Sequence, residues 1–222
     1  MTRWPLAGFN GVLQVDAYAV YNARTDPARD GGPVMLAYCW SHVRRHFYEI
    51  AQDGDATLAE EALARIGALF GIERTICGEP PEQRRSLRLA QTRPLIDELR
   101  AWLEAKLAKV SGGARIAQAI RYALKHWAGL TVFLDDGRVE IDSNVVERTI
   151  RPIALNRKNA LFAGSDQGGV HWGVIASLIE TCKLNAVDPQ AYLASTLTRL
   201  VNRHPASQID QLMPWAYADQ VP

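Results

Sequence analysis

Glu147-Arg148 is followed by Arg151-Pro152 and then by Asn156-Arg157-Lys158-Asn159, so one carboxylate heads a dense run of guanidinium, ammonium and amide groups. That grouping suits metal-assisted chemistry on a phosphodiester: the carboxylate holds a divalent ion while the donors take the flanking phosphate oxygens. A plainer reading stands beside it, since Glu147 and Arg151 lie four apart and can pair on the surface of a helix. Asp16 is the second acid of interest. It closes the mostly apolar run Gly11-Val12-Leu13-Gln14-Val15, and a carboxylate at a strand end is either a metal ligand or an ordinary solvated terminus.

Cys39, His42 and His46 recur at i, i+3 and i+7, a spacing that turns all three to one side of a helix and toward zinc. A structural zinc site needs a fourth ligand, however, and no second Cys/His pair stands at ligand spacing. Cys39 also fits an apolar stripe, so His42, Arg44 and Arg45 read as flanking a buried face or contacting phosphate. No base accompanies any cysteine, which disfavours a thiolate nucleophile. Gly168-Gly169 before a helix offers backbone N–H groups to a phosphate, but neither a Walker lysine nor a dinucleotide fingerprint accompanies it.

The elements that must position these residues are legible from periodicity. Residues 11–15 and 34–38 are short apolar runs with a helix expected at 17–22 between them, an α/β opening. From Trp40 a helix carries Val43, Phe47 and Ile50 inward. Leu58, Ala62, Ile66 and Leu69, then Ile96, Leu99, Leu103 and Leu107, then Ile116, Ile120, Leu124 and Trp127 mark successive amphipathic helices. Residues 139–141 read as a brief extended piece. Asp142-Ser143-Asn144 supplies cap candidates for the helix bearing Glu147, which Pro152 is expected to end or kink. Residues 164–169 read as a flexible loop before a helix with Ile175, Leu178, Ile179 and Cys182 inward. Asp188-Pro189 reads as a cap followed by proline at the first helical position.

The expected organisation is α/β but predominantly helical. Residues 1–52 form the first part of a core, 53–130 an all-helical insertion, 131–203 the second part of the core, and 204–222 a tail. With 222 residues, 48% of them hydrophobic, the chain is long enough for a sizeable core. Its net charge of +1 hides a basic concentration around residues 148–158 and another at Arg44-Arg45-His46, so contact with nucleic acid must be local. Three widely spaced cysteines suggest reduced thiols. With no export signal and no span of apolar residues, a soluble, cytoplasmic protein is expected.

Several of these segments together resemble the transposases of the insertion-sequence-66 family. The matching stretches are Gly11 to Tyr18, Cys39 to Phe47, Leu134 to Pro152, Arg157 to Ser165, Ser177 to Asn185 and Asp188-Pro189, in family order and almost end to end. The resemblance implies a ribonuclease-H-like domain with an Asp-Asp-Glu triad and a helical insertion between the second and third acids. By motif, Asp16 is the second acid and Glu147 the third, both catalytic and both ligands of Mg²⁺ or Mn²⁺. The implied reaction is two-metal cleavage and joining of DNA at transposon ends and target. Arg148, Arg151, Arg157 and Lys158 would neutralise phosphates, as would Arg44, Arg45 and His42.

Departures from the family pattern are informative. Residues 1–15 contain no Asp or Glu, so the first acid of the triad is not supplied from that side, and the family's amino-terminal recognition portions are missing. The expectation is the carboxyl-terminal part of a longer transposase, inactive in strand transfer alone. The alternative is a non-catalytic module that binds DNA or joins the assembly of an intact transposase, alone or as a homo-oligomer. Ala17, Ser143, Asn156 and His46 replace residues usual in the family, and none of them is an acid.

Overall fold

The structure, a computed structural model, describes residues 8–16, 21, 25–26, 28, 31–53, 56–156 and 164–218, with residues 56, 153, 156 and 218 in backbone only. The chain divides into two compact units, Met1–Val145 and Val146–Pro222. Among the described residues it is predominantly helical, with one two-stranded sheet. The helix expected at 17–22 falls almost wholly outside them.

In the first unit β1 (Val12–Val15) and β2 (Met35–Tyr38) pair in parallel, Val12 opposite Met35 and Val15 opposite Tyr38. Alternation along β1 sends Leu13 and Val15 into a small cluster with Val34 and Leu36, while Val12 packs against the main core. Helix α1 (Trp40–Gln52) follows, burying Trp40, Val43, Phe47 and Ile50 at three- and four-residue steps. After it come α2 (Ala56–Thr75), α3 (Pro81–Leu87), α4 (Arg93–Leu107) and α5 (Arg115–Lys125), then the short α6 (Trp127–Leu130) and α7 (Val132–Asp135), with α2 and α5 packed on α1. The predicted stripes are the core: Ala62, Ile66, Leu69, Ile96, Leu99, Leu103, Ile116 and Ile120 are all buried.

Pro94 does not interrupt this block. Residues Arg88–Thr92 form a π-helical turn that joins α3 to α4 without a break, and the Arg93 N–H reaches the Arg88 carbonyl. Because Pro94 has no N–H to offer one turn back, widening that turn costs little in hydrogen bonds. The wide turn carries Arg88 into the interior, where it is fully buried. Its Nε and Nη2 donate to the two Glu73 carboxylate oxygens at 2.8 and 2.7 Å, and Nη1 donates to the carbonyls of Phe133 (2.7 Å) and Val139 (2.9 Å). The charge is thus paired and its hydrogens are used, the condition for tolerating an ion in a core.

Helix α6 reaches β2 at Gly129, where a Cβ would lie 2.3 Å from the Tyr38 ring and 2.9 Å from the Leu36 carbonyl oxygen. Trp40 Nε1 donates to the Leu130 carbonyl at 2.8 Å, and its ring meets Trp127 edge-on. The extended piece expected at 139–141 is no strand: Ile141 accepts one backbone bond from Trp40, and Val139 bonds back to Asp136 in a turn.

Helix α8 (Asn144–Asn156) starts at the end of the first unit and continues into the second. Pro152 neither ends nor shortens it. The ring removes one hydrogen bond, and the carbonyl it leaves belongs to exposed Arg148, within reach of water. In the second unit α9 (Asp166–Leu184), α10 (Pro189–Val201), a 3₁₀ segment (Ala206–Leu212) and α11 (Pro214–Ala218) gather around Cys182, Val187 and Tyr192. Gly168 and Gly169, expected in a loop, lie in the first turn of α9. Ser165 caps it, its Oγ accepting from Gly168 N–H at 3.0 Å. Asp188 caps α10 through Ala191 N–H, with Pro189 first in the helix as the sequence predicts. Ile175, expected to face inward, is 48% exposed. No helix among the described residues is long and apolar enough to cross a membrane.

Candidate functional site

Asp16 follows the last residue of β1 and is exposed, whereas Val15 before it is buried. What fixes the strand is Gln14. Its Nε2 donates to the carbonyls of Glu140 and Asp142, both at 2.8 Å, so a side chain two residues before Asp16 holds the peptide that leads into α8. Asp142 organises the other side of that peptide. Its Oδ2 accepts from Ser41 Oγ at 2.9 Å and from Asn144 Nδ2 at 2.6 Å, and its Oδ1 accepts from Asn144 N–H at 3.0 Å. Asn144 Nδ2 also reaches Ser41 Oγ, and the Ser143 N–H donates to Cys39 Sγ at 3.3 Å. Strand β1, the start of α1 and the start of α8 are therefore joined by one polar clamp inside the first unit.

Glu147 stands in the first turn of α8, three residues beyond Asn144, and is exposed, as are Arg148 and Arg151. A carboxylate there is favoured by the unpaired N–H groups of the helix start. Arg157 and Lys158 lie outside the described residues. On α1, Arg44 is exposed and sits over the Tyr48 ring, while Arg45 pairs with Glu49 at 2.9 Å, which offsets part of the positive charge expected on this face. His42 is half-buried on the same helix.

Two members of the candidate zinc trio, Cys39 and His46, make other contacts. Cys39 is buried and accepts the Ser143 N–H, and the His46 ring meets Tyr122 at a tilt with centroids 4.5 Å apart. Tyr122 meets His126 at a similar tilt, and His126 meets Tyr38 edge-on, so a series of four rings links α1, α5 and β2. Burial, and after it the neighbouring Asp16 carboxylate and Cys39 thiol, push the Tyr122 phenol up. Tyr122 also lines an open cleft of about 370 Å³ with His46, Glu49, Arg115 and Gln118. Exposed carboxylate oxygens such as those of Asp16 and Glu147 suit a hard divalent cation, Mg²⁺ or Mn²⁺. Sequence reasoning assigned no role to Gln14 or Tyr122. A signal existed for the first, the one amide in an otherwise apolar run, and none for the second.

Comparison with known proteins adds lineage to this geometry. The family described as "Transposase IS66 family" matches residues 2–171, and the "IS66 C-terminal element" matches residues 177–215. Three relatives from Sinorhizobium fredii (strain NBRC 101917 / NGR234) align over nearly the whole chain. Uncharacterized protein y4qI is 44% identical over 96% of this chain and 40% of its own length. Uncharacterized protein y4jD is 41% identical over 97% and 43%, and uncharacterized protein y4hP 37% identical over 96% and 40%. The chain thus spans about two fifths of the length of these relatives. No solved structure matches it.

Proposed function

Because the chain belongs to the IS66 transposase family, we propose that it carries two of the three metal-binding acids of a DNA transposase, Asp16 and Glu147. They are borne on a partial ribonuclease-H-like core into which α2 to α6 are inserted. The observation that carries this reading is the clamp. Gln14, Ser41, Asp142 and Asn144 spend their hydrogen bonds on fastening the strand that ends in Asp16 to the peptide that opens the helix of Glu147. Inside the first unit, a strand fastened in this way is what a site needs to hold the Asp16 carboxylate in a fixed place.

Bound Mg²⁺ or Mn²⁺ would supply charge neutralisation at the attacking and leaving oxygens of a phosphodiester. The protein's own groups bind and orient. Asp16 and Glu147 would be ligands of the cation, Arg148, Arg151, Arg157 and Lys158 would take phosphate oxygens, and His42, Arg44 and Arg45 would extend the contact along α1. DNA, as transposon end and as target, is the partner. Residues 1–15 contain no acid to complete the triad, so the chain alone is expected to transfer strands poorly or not at all.

Two measurements test this. Mn²⁺ titration of the purified chain is expected to show weak binding that Asp16→Asn and Glu147→Gln each reduce about tenfold or more, the loss of one carboxylate ligand. Binding indifferent to both changes rejects the cation assignment and leaves a DNA-binding or assembly module. In that case DNA affinity should fall with salt and with Arg148→Ala but not with Glu147→Gln. A nicking assay on terminal-repeat DNA tests incompleteness, since vigorous Mg²⁺-dependent cleavage that Glu147→Gln abolishes shows the chain to be sufficient.

A further inference from the structure

We propose that Arg84 is a positioning residue for Asp16: by gripping Glu140 it ties the helical block to the peptide that holds β1, and so fixes where the strand-end carboxylate stands. This rests on Asp16 being a cation ligand, as proposed above. Glu140 is engaged from two sides. Its carboxylate takes a guanidinium fork from Arg84 on α3, Nη1 to Oε1 and Nη2 to Oε2, both at 2.7 Å. Its carbonyl accepts Gln14 Nε2. A single residue therefore passes the position of α3 to the strand that ends in Asp16, and a two-pronged guanidinium–carboxylate pair fixes direction as well as distance.

Arg84 also has a competing partner. Its Nη2 lies 3.5 Å from Glu73 Oε2, the oxygen that Arg88 Nη2 already holds at 2.7 Å. Glu140 draws Arg84 away from that shared acid, and hydrogen bonding to the Glu140 carboxylate is the first cause of the upward shift of the Arg84 guanidinium. Remove the carboxylate, and a guanidinium only 12% exposed turns to Glu73 and competes with Arg88. Arg88 holds the carbonyls of Phe133 and Val139, on the same stretch that leads to Glu140. The peptide gripping Gln14 is then loosened from both ends.

The experiment compares Glu140→Gln, Arg84→Lys, Gln14→Leu and the Glu140→Gln/Gln14→Leu double variant in this chain. It reads amide hydrogen exchange over residues 12–16, with residues 93–107 of α4 as internal reference, and Mn²⁺ affinity. Glu140→Gln is expected to raise exchange at 12–16 about tenfold, the effect of one charge-assisted bond, with α4 unchanged. Mn²⁺ affinity should fall several-fold alongside it. Arg84→Lys should behave like Glu140→Gln, because an ammonium lacks the fork. The double variant should be no worse than Gln14→Leu alone, since cutting the link at Gln14 leaves Glu140 no route to Asp16. Unchanged exchange at 12–16 in Glu140→Gln, or fully additive effects in the double variant, overturns the proposal. Asp16→Asn separates the two claims: if it leaves Mn²⁺ binding intact the cation reading fails, while the exchange data judge the tether independently.

Discussion

Arg88 keeps a full charge inside the core because Glu73 and two backbone carbonyls take its hydrogens, and that arrangement is sensitive to loss of either partner. Glu73→Gln is expected to cost about 3–5 kcal/mol, the penalty for a buried charge left uncompensated, measured as a shift in the denaturant midpoint. His46 is a second residue with a definite sign. Partial desolvation lowers its pKa below 6.5 although the side chain is still exposed; Glu49 opposes the shift, and His42 and Arg45 add to it. The unfolded chain therefore binds the proton more readily, so stability falls as pH drops through 6.5 toward the folded value and is level again below it. His46→Phe, which keeps a ring on Tyr122, should remove that part of the slope when denaturation is followed on either side of pH 6.5. Sequence inspection could flag His46 but not this environment. The burial of Arg88 was equally hidden, for it sits with Arg84 and Arg85 in a stretch that looks solvated, and its partners lie 15 and 45 or more residues away.

Among the elements, the helices of the insertion were readable because each buries one stripe, and a stripe needs only its own residues to be seen. The junctions between them were not. Gly129 looks like an ordinary helical glycine until α6 is laid on β2, where only a hydrogen fits. Gly129→Ala should cost about 1–3 kcal/mol through displacement of Tyr38, and a thermal melt of the variant checks it. Pro152 was expected to interrupt its helix, and both it and Pro94 are accommodated, one by an exposed carbonyl and the other by a wide turn. Gly168-Gly169 was read as loop because glycine is a poor helix former, and the Ser165 cap outweighs that preference. For the candidate site, Asp16, Glu147 and Asp142 were visible as residue types at suggestive positions. The clamp linking their segments was not, since it joins residues 126 and 128 apart in the chain.

At the scale of the molecule, the two units have separate cores of unequal size. The first surrounds Trp40, Phe47 and the leucine stripes, while the second has Cys182, Val187 and Tyr192 as its buried centre. Tyr192→Ala should remove about 3 kcal/mol or more from the second unit, including the 2.7 Å bond to the Leu212 carbonyl. Amide exchange should then rise across α9 to α11 while α2 and α4 keep their protection. The wide turn at Arg88–Thr92 has a further consequence for how such chains can diverge in length. A π turn takes up one residue more than an α turn over nearly the same rotation, so deleting one residue there would restore a regular α-helix and leave α3 and α4 nearly in phase. What such a loss would disturb is the seat of Arg88, which the widened turn carries inward to Glu73, so the cost is expected at that one buried ion pair rather than along the whole insertion.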